Sequence, residues 1–394
     1  MSCEKLKHRL GQCVSTDGLY FVSYGIFLIT SLLSTSFFYQ YFMGVTYTWI
    51  QAVCLALLLV REYRLGLKQQ SLPALGVLTF LAILCLQFSL GNLTRLVPLM
   101  CFYIYGARNI HFDRIARFSL WLSALVAAVV VYSGYLGIID NVAAAKGTRV
   151  REYLGFRYAL YLPGILLNMT ALWTYLHRRD ITPLRALLWV LPNGFVYLRT
   201  DSRISFALAL GVLAVGLVLR YLPWVTKPKK LWGLLTASYL VSAAFSYVFT
   251  GIYDGAIPWM RRLNSMLESR LSLGKRSLED YGFGLLGKKI SWVGHGLDAY
   301  GNLTEGRYTY VDCMYVKLLQ RYGAVFIAAF LALVTWAMCK LLKQGHYLLL
   351  LICASVAVHC ILDDLSFALH YNTFWIALGL ALMAPEKLEQ PEYL

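Results

Sequence analysis

Residues 118–139 read FSLWLSALVAAVVVYSGYLGII, an apolar run without one charged side chain. At about 1.5 Å of rise per residue, roughly 20 such residues cross the hydrocarbon core of a bilayer as a helix. A helix also satisfies its own backbone hydrogen bonds, as lipid requires. Comparable runs lie at 19–41, 72–90, 204–221, 231–251 and 322–339, with shorter or more polar ones at 45–60, 92–106, 158–177, 183–198, 346–361 and 366–383. Composition agrees. Of 394 residues, 59% are hydrophobic and 14% charged, against about 25% charged in an ordinary soluble domain. The sequence predicts an all-α, polytopic transmembrane bundle of about twelve helices, forming a single integral membrane domain over 1–394. The first run is too long for a signal-peptide core and lacks a small-residue cleavage site, so it is expected to stay as a signal anchor.

The basic residues suggest an orientation. Lys5, Lys7 and Arg9 precede the first run, and alternate loops carry Arg61, Arg64 and Lys68, then Arg108, Arg114 and Arg117, then Arg178, Arg179 and Arg185, then Lys227, Lys229 and Lys230, then Lys340 and Lys343. The intervening loops near 42–46 and 362–365 have no Lys or Arg. By the positive-inside rule both termini are expected in the cytoplasm.

That rule leaves part of the net charge of +16 unexplained. On the expected outer side, Arg149, Arg151 and Arg157 precede the sixth run, and Arg199 and Arg203 flank the start of the eighth. Further basic residues, Arg270, Lys275 and Arg276 among them, fall in the longest loop, 252–318, between the ninth and tenth runs. Contact with anionic headgroups accounts for any one of them; an outer anion site accounts for several loops sharing the feature. Within the long loop Ile257, Met260, Leu263, Leu267 and Leu271 recur at helical spacing, which predicts an amphipathic interfacial helix. The nine cysteines fall mostly within the apolar runs, which speaks against an external disulfide framework.

No Gly-rich nucleotide motif, paired-Cys or His-Glu metal signature or Asp-x-Asp pair is present. An ATP-driven pump and a nucleotide-sugar transferase are therefore disfavoured, and nothing calls for nucleic acid. Asp363 and Asp364, in a very short outer loop, read as a solvated turn.

Three stretches carry distinctive chemistry: Arg149-Val150-Arg151 with Gly155-Phe156-Arg157-Tyr158; Thr200-Asp201-Ser202-Arg203; and Val293-Gly294-His295-Gly296-Leu297, followed by YTYVDCMYVKLLQRYG from Tyr308 to Gly323. In this order, around a long late loop, they resemble the Wzy-type polysaccharide polymerases and the related O-antigen ligases. Ser202 and Arg203 match the family's Ser-Arg pair at an outer helix end. Gly294 and Gly296 match its G-x-G turn, and Asp312, Tyr315 and Gly323 the polar residue and aromatic-leucine helix that follow. The ligases usually place a His before that helix; here Asp312 stands there, which favours polymerase.

The resemblance implies an inverting glycosyltransferase of capsule, exopolysaccharide or O-antigen biosynthesis in the bacterial cytoplasmic membrane. It would join oligosaccharide repeat units carried on undecaprenyl pyrophosphate, with no metal or cofactor, among membrane lipids, alongside a flippase and a chain-length regulator. Arg203 and Arg157 would hold the pyrophosphate, because a guanidinium is always charged and binds phosphate oxygens bidentately. Arg149, Arg151 and Arg276 would assist. Asp312 would be the base, with Asp201 and Glu305 as competitors. An ion pair between Asp312 and a loop arginine is the structural alternative. Ser202, His295 and Tyr315 would line the substrate site. A ligase and a secondary transporter remain the rival readings. The transporter is disfavoured because related halves and a longest loop near the middle are the usual signs of one.

The orientation is testable by single-cysteine labelling of intact cells with an impermeant reagent. Cysteine placed at 275 is expected to react and cysteine at 227 to stay protected until lysis. The opposite pattern would invert the topology.

Overall fold

The computed structural model describes residues 15–65, 79, 96–146, 149–227, 229–303 and 305–388. Apart from Thr79, the run expected at 72–90 lies outside these residues, as do the N-terminal tail with its three basic residues, Lys68 and the side chain of Arg149. The described chain is mostly helical. Its α-helices are α1 (Thr16–Leu33), α2 (Val45–Leu65), α3 (Leu96–Gly106), α4 (Phe112–Tyr135), α5 (Tyr161–Leu176), α6 (Pro183–Thr200), α7 (Arg203–Tyr221), α8 (Lys229–Thr236), α9 (Ser238–Ile252), α10 (Pro258–Met266), α11 (Arg270–Tyr281), α12 (Met314–Lys343), α13 (Tyr347–His359) and α14 (Phe374–Met383). Among them α1, α2, α4, α7 and α12 are each long and apolar enough to cross a membrane. Helices α8 and α9, bent by 55°, make up to six such spans.

The helices share two chemically distinct ends. At one, the start of α1, the end of α2 and the start of α4 meet. Arg61 donates to the Thr16 carbonyl at 3.1 Å, Arg108 pairs with Glu62 at 2.5 Å, and Arg114 pairs with Asp17 at 2.6 Å. Arg178, just past α5, joins them through Asp113 at 3.3 Å. Basic residues from alternate loops of the sequence thus converge on one end of the bundle. The opposite end carries the long loop and the short connection between α13 and α14.

The structure departs locally from the sequence expectation in four places, three of them with visible causes. Helix α1 stops at Leu33 rather than near 41. The hydroxyls of Ser34, Thr35 and Ser36 donate to the carbonyls of Ser31, Leu32 and Leu33 at 2.7, 2.7 and 2.8 Å, satisfying the orphaned acceptors of the last turn. Helix α14 begins only at Phe374, because Thr373 is held by Asn168 of α5: its amide donates to Asn168 Oδ1 and its hydroxyl accepts from Nδ2, both at 3.1 Å. A small antiparallel hairpin, β1 (Ala143–Lys146) and β2 (Arg149–Glu152), pairs Ala144 with Arg151 in a chain expected to be all-helical. The single amphipathic helix expected over 257–271 is two helices, α10 and α11, divided by Glu268 and Ser269 at φ 49° and 69°. Asn264 bridges the break. Its Oδ1 accepts from the Ser272 amide and its Nδ2 donates to Ser272 Oγ, both at 3.1 Å.

The feature that fixes the long loop lies within α12. Gly323 sits at φ 94°, ψ 170°, a region essentially restricted to glycine, and the helix breaks there. Residues 284–288 fill the gap. The amides of Ala324 and Val325 donate to the carbonyls of Gly284 and Leu285 at 3.0 and 3.1 Å, while the Gln320 carbonyl accepts from Lys288 at 2.9 Å. The break therefore leaves these backbone groups satisfied by the loop instead of by the helix. Gln320 adds side-chain bonds to the carbonyls of Ser277 and Gly282 at 2.9 and 3.0 Å. No side chain fits at the crossing. A Cβ on Gly323 would stand 2.3 Å from both the Gly287 nitrogen and the Leu285 carbonyl oxygen, and one on Gly287 2.2 Å from the Arg321 carbonyl oxygen.

Gly323→Ala is accordingly expected to destabilise the purified protein by more than the roughly 1–3 kcal/mol of forced backbone strain alone. Gly194→Ala in α6, where a new Cβ meets nothing within 4 Å, should be neutral or stabilising by up to about 1 kcal/mol. Thermal unfolding in detergent reads both, and a wild-type midpoint for Gly323→Ala would rule out the docked-loop account.

Candidate active site

At the loop end of the bundle four chain segments surround a cavity of about 240 Å³. The glycine turn forms one wall. Val293 receives the amides of Thr309 and Tyr310 at 2.9 and 3.1 Å, and Leu297 donates to the Arg157 carbonyl at 2.9 Å. Held from both sides, this segment presents Trp292 and His295 to the cavity. Tyr158 and Tyr161, at the entrance to α5, form a second wall. The third comes from Tyr308, Tyr310 and Asp312 ahead of α12, with Asp363 and Asp364 from the α13–α14 connection. His295 stacks on Tyr308 with ring centroids 4.4 Å apart.

Three carboxylates and two buried cations organise the polar side of the cavity. Arg270 of α11 reaches Asp312 Oδ2 at 2.8 Å and donates through Nε to the Leu362 carbonyl at 2.8 Å. The Tyr308 hydroxyl donates to the same Asp312 oxygen at 2.8 Å. Lys317 pairs with Asp364, whose Oδ2 also accepts from the Tyr310 hydroxyl at 3.1 Å. Asp363 has no salt bridge among the described residues; its Oδ1 accepts from the Leu365 amide at 2.8 Å. Burial, reinforced by the charge of Asp364, pushes the Asp363 carboxyl up to about 7. Burial raises Asp312 too, against the opposing pull of Arg270.

A narrower cleft of about 30 Å³ adjoins the cavity. Arg151, Asp201, Ser202, Arg203, Arg270 and Asp363 are among its lining residues. Asp201 ends α6 in the left-handed conformation, φ 50°, ψ 40°, and thereby turns the chain into α7. Its carboxylate lies between two guanidiniums, Arg203 at 3.2 Å and Arg151 at 3.9 Å. The Arg203 side chain is 55% exposed at the mouth of this cleft, so it can meet an anion arriving from outside.

The residues singled out from sequence therefore divide. Arg151, Asp201, Ser202 and Arg203 share the cleft, while Asp312 and His295 share the cavity. Ser202 is buried and accepts from the Thr200 hydroxyl at 2.9 Å. Arg157 lies apart from Arg203. It donates to the Ser34 and Leu297 carbonyls at 2.5 and 3.3 Å and covers the Tyr39 ring, which makes it a strut between the end of α1 and the long loop. Arg276 donates to the Tyr308 carbonyl and holds that segment down. Tyr315 lies outside the cavity: it is fully buried in the core and its hydroxyl donates to the Ala357 carbonyl at 2.8 Å.

Asp363 and Asp364 are the main correction. They line the cavity instead of forming a solvated turn. Adjacent acids in a loop without Lys or Arg are the local signal, but the groups that draw them inward, Lys317 on Asp364 and Arg270 on the Leu362 carbonyl, come from α12 and α11, far away in sequence. Tyr161, Trp292 and Lys317 have no distinguishing mark in the sequence, because aromatic and basic residues near helix ends are common anchors. Among the described residues no three His, Cys, Asp or Glu side chains converge as metal ligands would. No protein-family model, curated protein or solved structure matches this chain.

The Arg270–Asp312 pair, with side chains 11% and 10% exposed, gives a direct stability test. Arg270→Met leaves a buried carboxylate without its cation, which typically costs about 3–5 kcal/mol. The cost should shrink as pH falls, because protonation of Asp312 removes the uncompensated charge. Unfolding midpoints of the purified variant at several pH values measure this, and a loss independent of pH would point to packing instead.

Proposed function

We propose that this protein is a membrane-embedded glycosyltransferase of the polysaccharide-polymerase kind, extending a glycan with repeat units delivered on undecaprenyl pyrophosphate. One observation supports this reading above the others: an acidic, aromatic-walled cavity adjoins an arginine-bearing cleft at the same end of a helical bundle. Aromatic faces and carboxylates suit sugar rings and their hydroxyls, since the rings offer stacking surface and the carboxylates accept hydrogen bonds. The arginines suit a pyrophosphate. A cavity of about 240 Å³ is smaller than the roughly 300 Å³ at which drug-sized sites begin, so it suits a single sugar ring better than a long glycan.

In this reading the donor arrives from the bilayer with its pyrophosphate at Arg203 and Arg151, and its reducing-end sugar points toward the cavity. An acceptor hydroxyl attacks the anomeric carbon from the opposite face, giving inversion. The bond to pyrophosphate breaks and the leaving group takes the electron pair. Charge grows on the pyrophosphate in the transition state, and guanidiniums already in place stabilise it without reorganisation. The donor is already activated, so no nucleotide is needed. The site faces outward if the basic end of the bundle is cytoplasmic, as the positive-inside rule favours. With the apolar run at 72–90, the helices would then make about twelve crossings of a bacterial cytoplasmic membrane.

Purified protein given only undecaprenyl-pyrophosphate-linked repeat units in detergent is expected to build a ladder of longer glycans, in EDTA and without nucleotide. A ligase would transfer glycan to an added acceptor and build no ladder; a transporter would leave the substrate chemically unchanged. Arg203→Ala should slow the ladder by about 10²–10³-fold, the usual loss for one oriented donor to a developing anion. Arg203→Lys should recover little, because an ammonium cannot supply the planar fork. Wild-type ladders from Arg203→Ala would remove Arg203 from the mechanism.

A further inference from the structure

We infer that Asp363, and not Asp312, is the general base that deprotonates the acceptor hydroxyl. The inference rests on the glycosyltransferase reading above and assigns its proton-transfer step.

The argument is geometric. Among the described residues, Asp363 is the one that lines both the cavity and the cleft. If sugar occupies the first and pyrophosphate the second, the bond being broken lies at the partition between them, and the bond being made lies across the anomeric carbon, inside the cavity. A base acting on the attacking hydroxyl must face the sugar from the cavity wall, with its oxygen about 2.6–3.2 Å from the hydroxyl oxygen. Asp312 also lines the cavity, but one of its oxygens already receives both Arg270 and the Tyr308 hydroxyl. Asp364 is held by Lys317 and Tyr310. A carboxylate committed to a buried cation and a hydroxyl is a weak proton acceptor, because accepting a proton would strand the cation. Asp363 has no such cation. Among the described residues, the only hydrogen bond to its carboxylate reaches Oδ1 from the Leu365 amide, which orients the carboxylate and leaves Oδ2 for the substrate.

The surroundings set its proton affinity. Asp364 lies beside it on the same connection and His359 precedes it at the end of α13. Asp312 and Arg270 face it from the long loop, and Arg151, Asp201 and Arg203 lie across the cleft. Burial and the two neighbouring acids outweigh Arg270 and bring the carboxyl to about 7, where a base balances availability against strength. The step balances simply. The Asp363 carboxylate takes the hydroxyl proton as the oxygen bonds the anomeric carbon, and the pyrophosphate departs with the electrons of the broken bond. Asp363 then returns its proton to water.

The test follows ladder formation by the full-length protein in detergent between pH 5 and 9. The wild-type rate should climb about tenfold per pH unit at low pH and level off near 7, because the base works only when deprotonated. Asp363→Asn should lower the rate by about 10²–10⁴-fold and abolish that limb. It should still bind the lipid-linked repeat unit, read as a ligand-induced rise in unfolding temperature. It should also melt no lower than wild type at pH 8, since the amide removes a buried charge whose raised pKa costs stability as pH rises through 7. Asp312→Asn should be slower than wild type yet keep the limb. Asp363→Glu supplies a second variant: it should retain activity with a displaced midpoint. A wild-type rate or a retained limb in Asp363→Asn, or an unmoved midpoint in Asp363→Glu, would overturn the assignment while leaving the polymerase reading standing. Absence of any ladder from folded wild-type protein would overturn both.

Discussion

A broken helix governs this architecture. At Gly323 α12 gives up its own hydrogen-bond ladder, and residues 284–288 of the long loop supply the missing partners. Backbone groups freed by a break in a helix must find other partners. Docking of the loop and interruption of the helix therefore require each other. Once anchored, the loop has little freedom. It is fastened again where Leu297 bonds the Arg157 carbonyl and where Val293 receives Thr309 and Tyr310. Between these fixings it presents Trp292 and His295 as one wall of the cavity.

The same anchoring brings distant charges together. Arg270 lies on α11, Asp312 ahead of α12 and Leu362 between α13 and α14, yet one guanidinium bonds all three segments. Burying that charge is tolerable because both of its partners are acceptors held in place. Lys317 does the same for Asp364. The pairings leave Asp363 as the carboxylate whose charge is not met by a cation within salt-bridge distance among the described residues, at the partition between cavity and cleft. A group in that position carries a stability cost that a purely structural site would avoid, which is a common physical mark of function.

The arginines illustrate how one residue type serves different ends. Arg157 and Arg276 spend their donors on backbone carbonyls and hold the loop in shape. Arg203 stays half exposed, with Asp201 as its carboxylate partner among the described residues and its guanidinium at the mouth of the cleft. All three sit in basic stretches on the same side of the chain's hydropathy pattern, and nothing in their immediate neighbours distinguishes strut from candidate ligand.

Sequence by itself determined the helical character, the apolar spans and the segregation of basic loops, because hydrophobic run length and charge alternation are local properties that the bilayer reads directly. It also pointed to the Ser202–Arg203 and Gly294–Gly296 stretches, since glycine and helix-end motifs leave a local mark. Tertiary structure decided which of these stretches meet. It sent Tyr315 into the core and turned Asp363 and Asp364 inward. Both outcomes depend on partners many residues away: a carbonyl on α13 for Tyr315, and Arg270 of α11 and Lys317 of α12 for the connection that carries the two acids. The worth of a charge or hydroxyl is set by what faces it across the fold, and that pairing has no signature in the neighbouring residues.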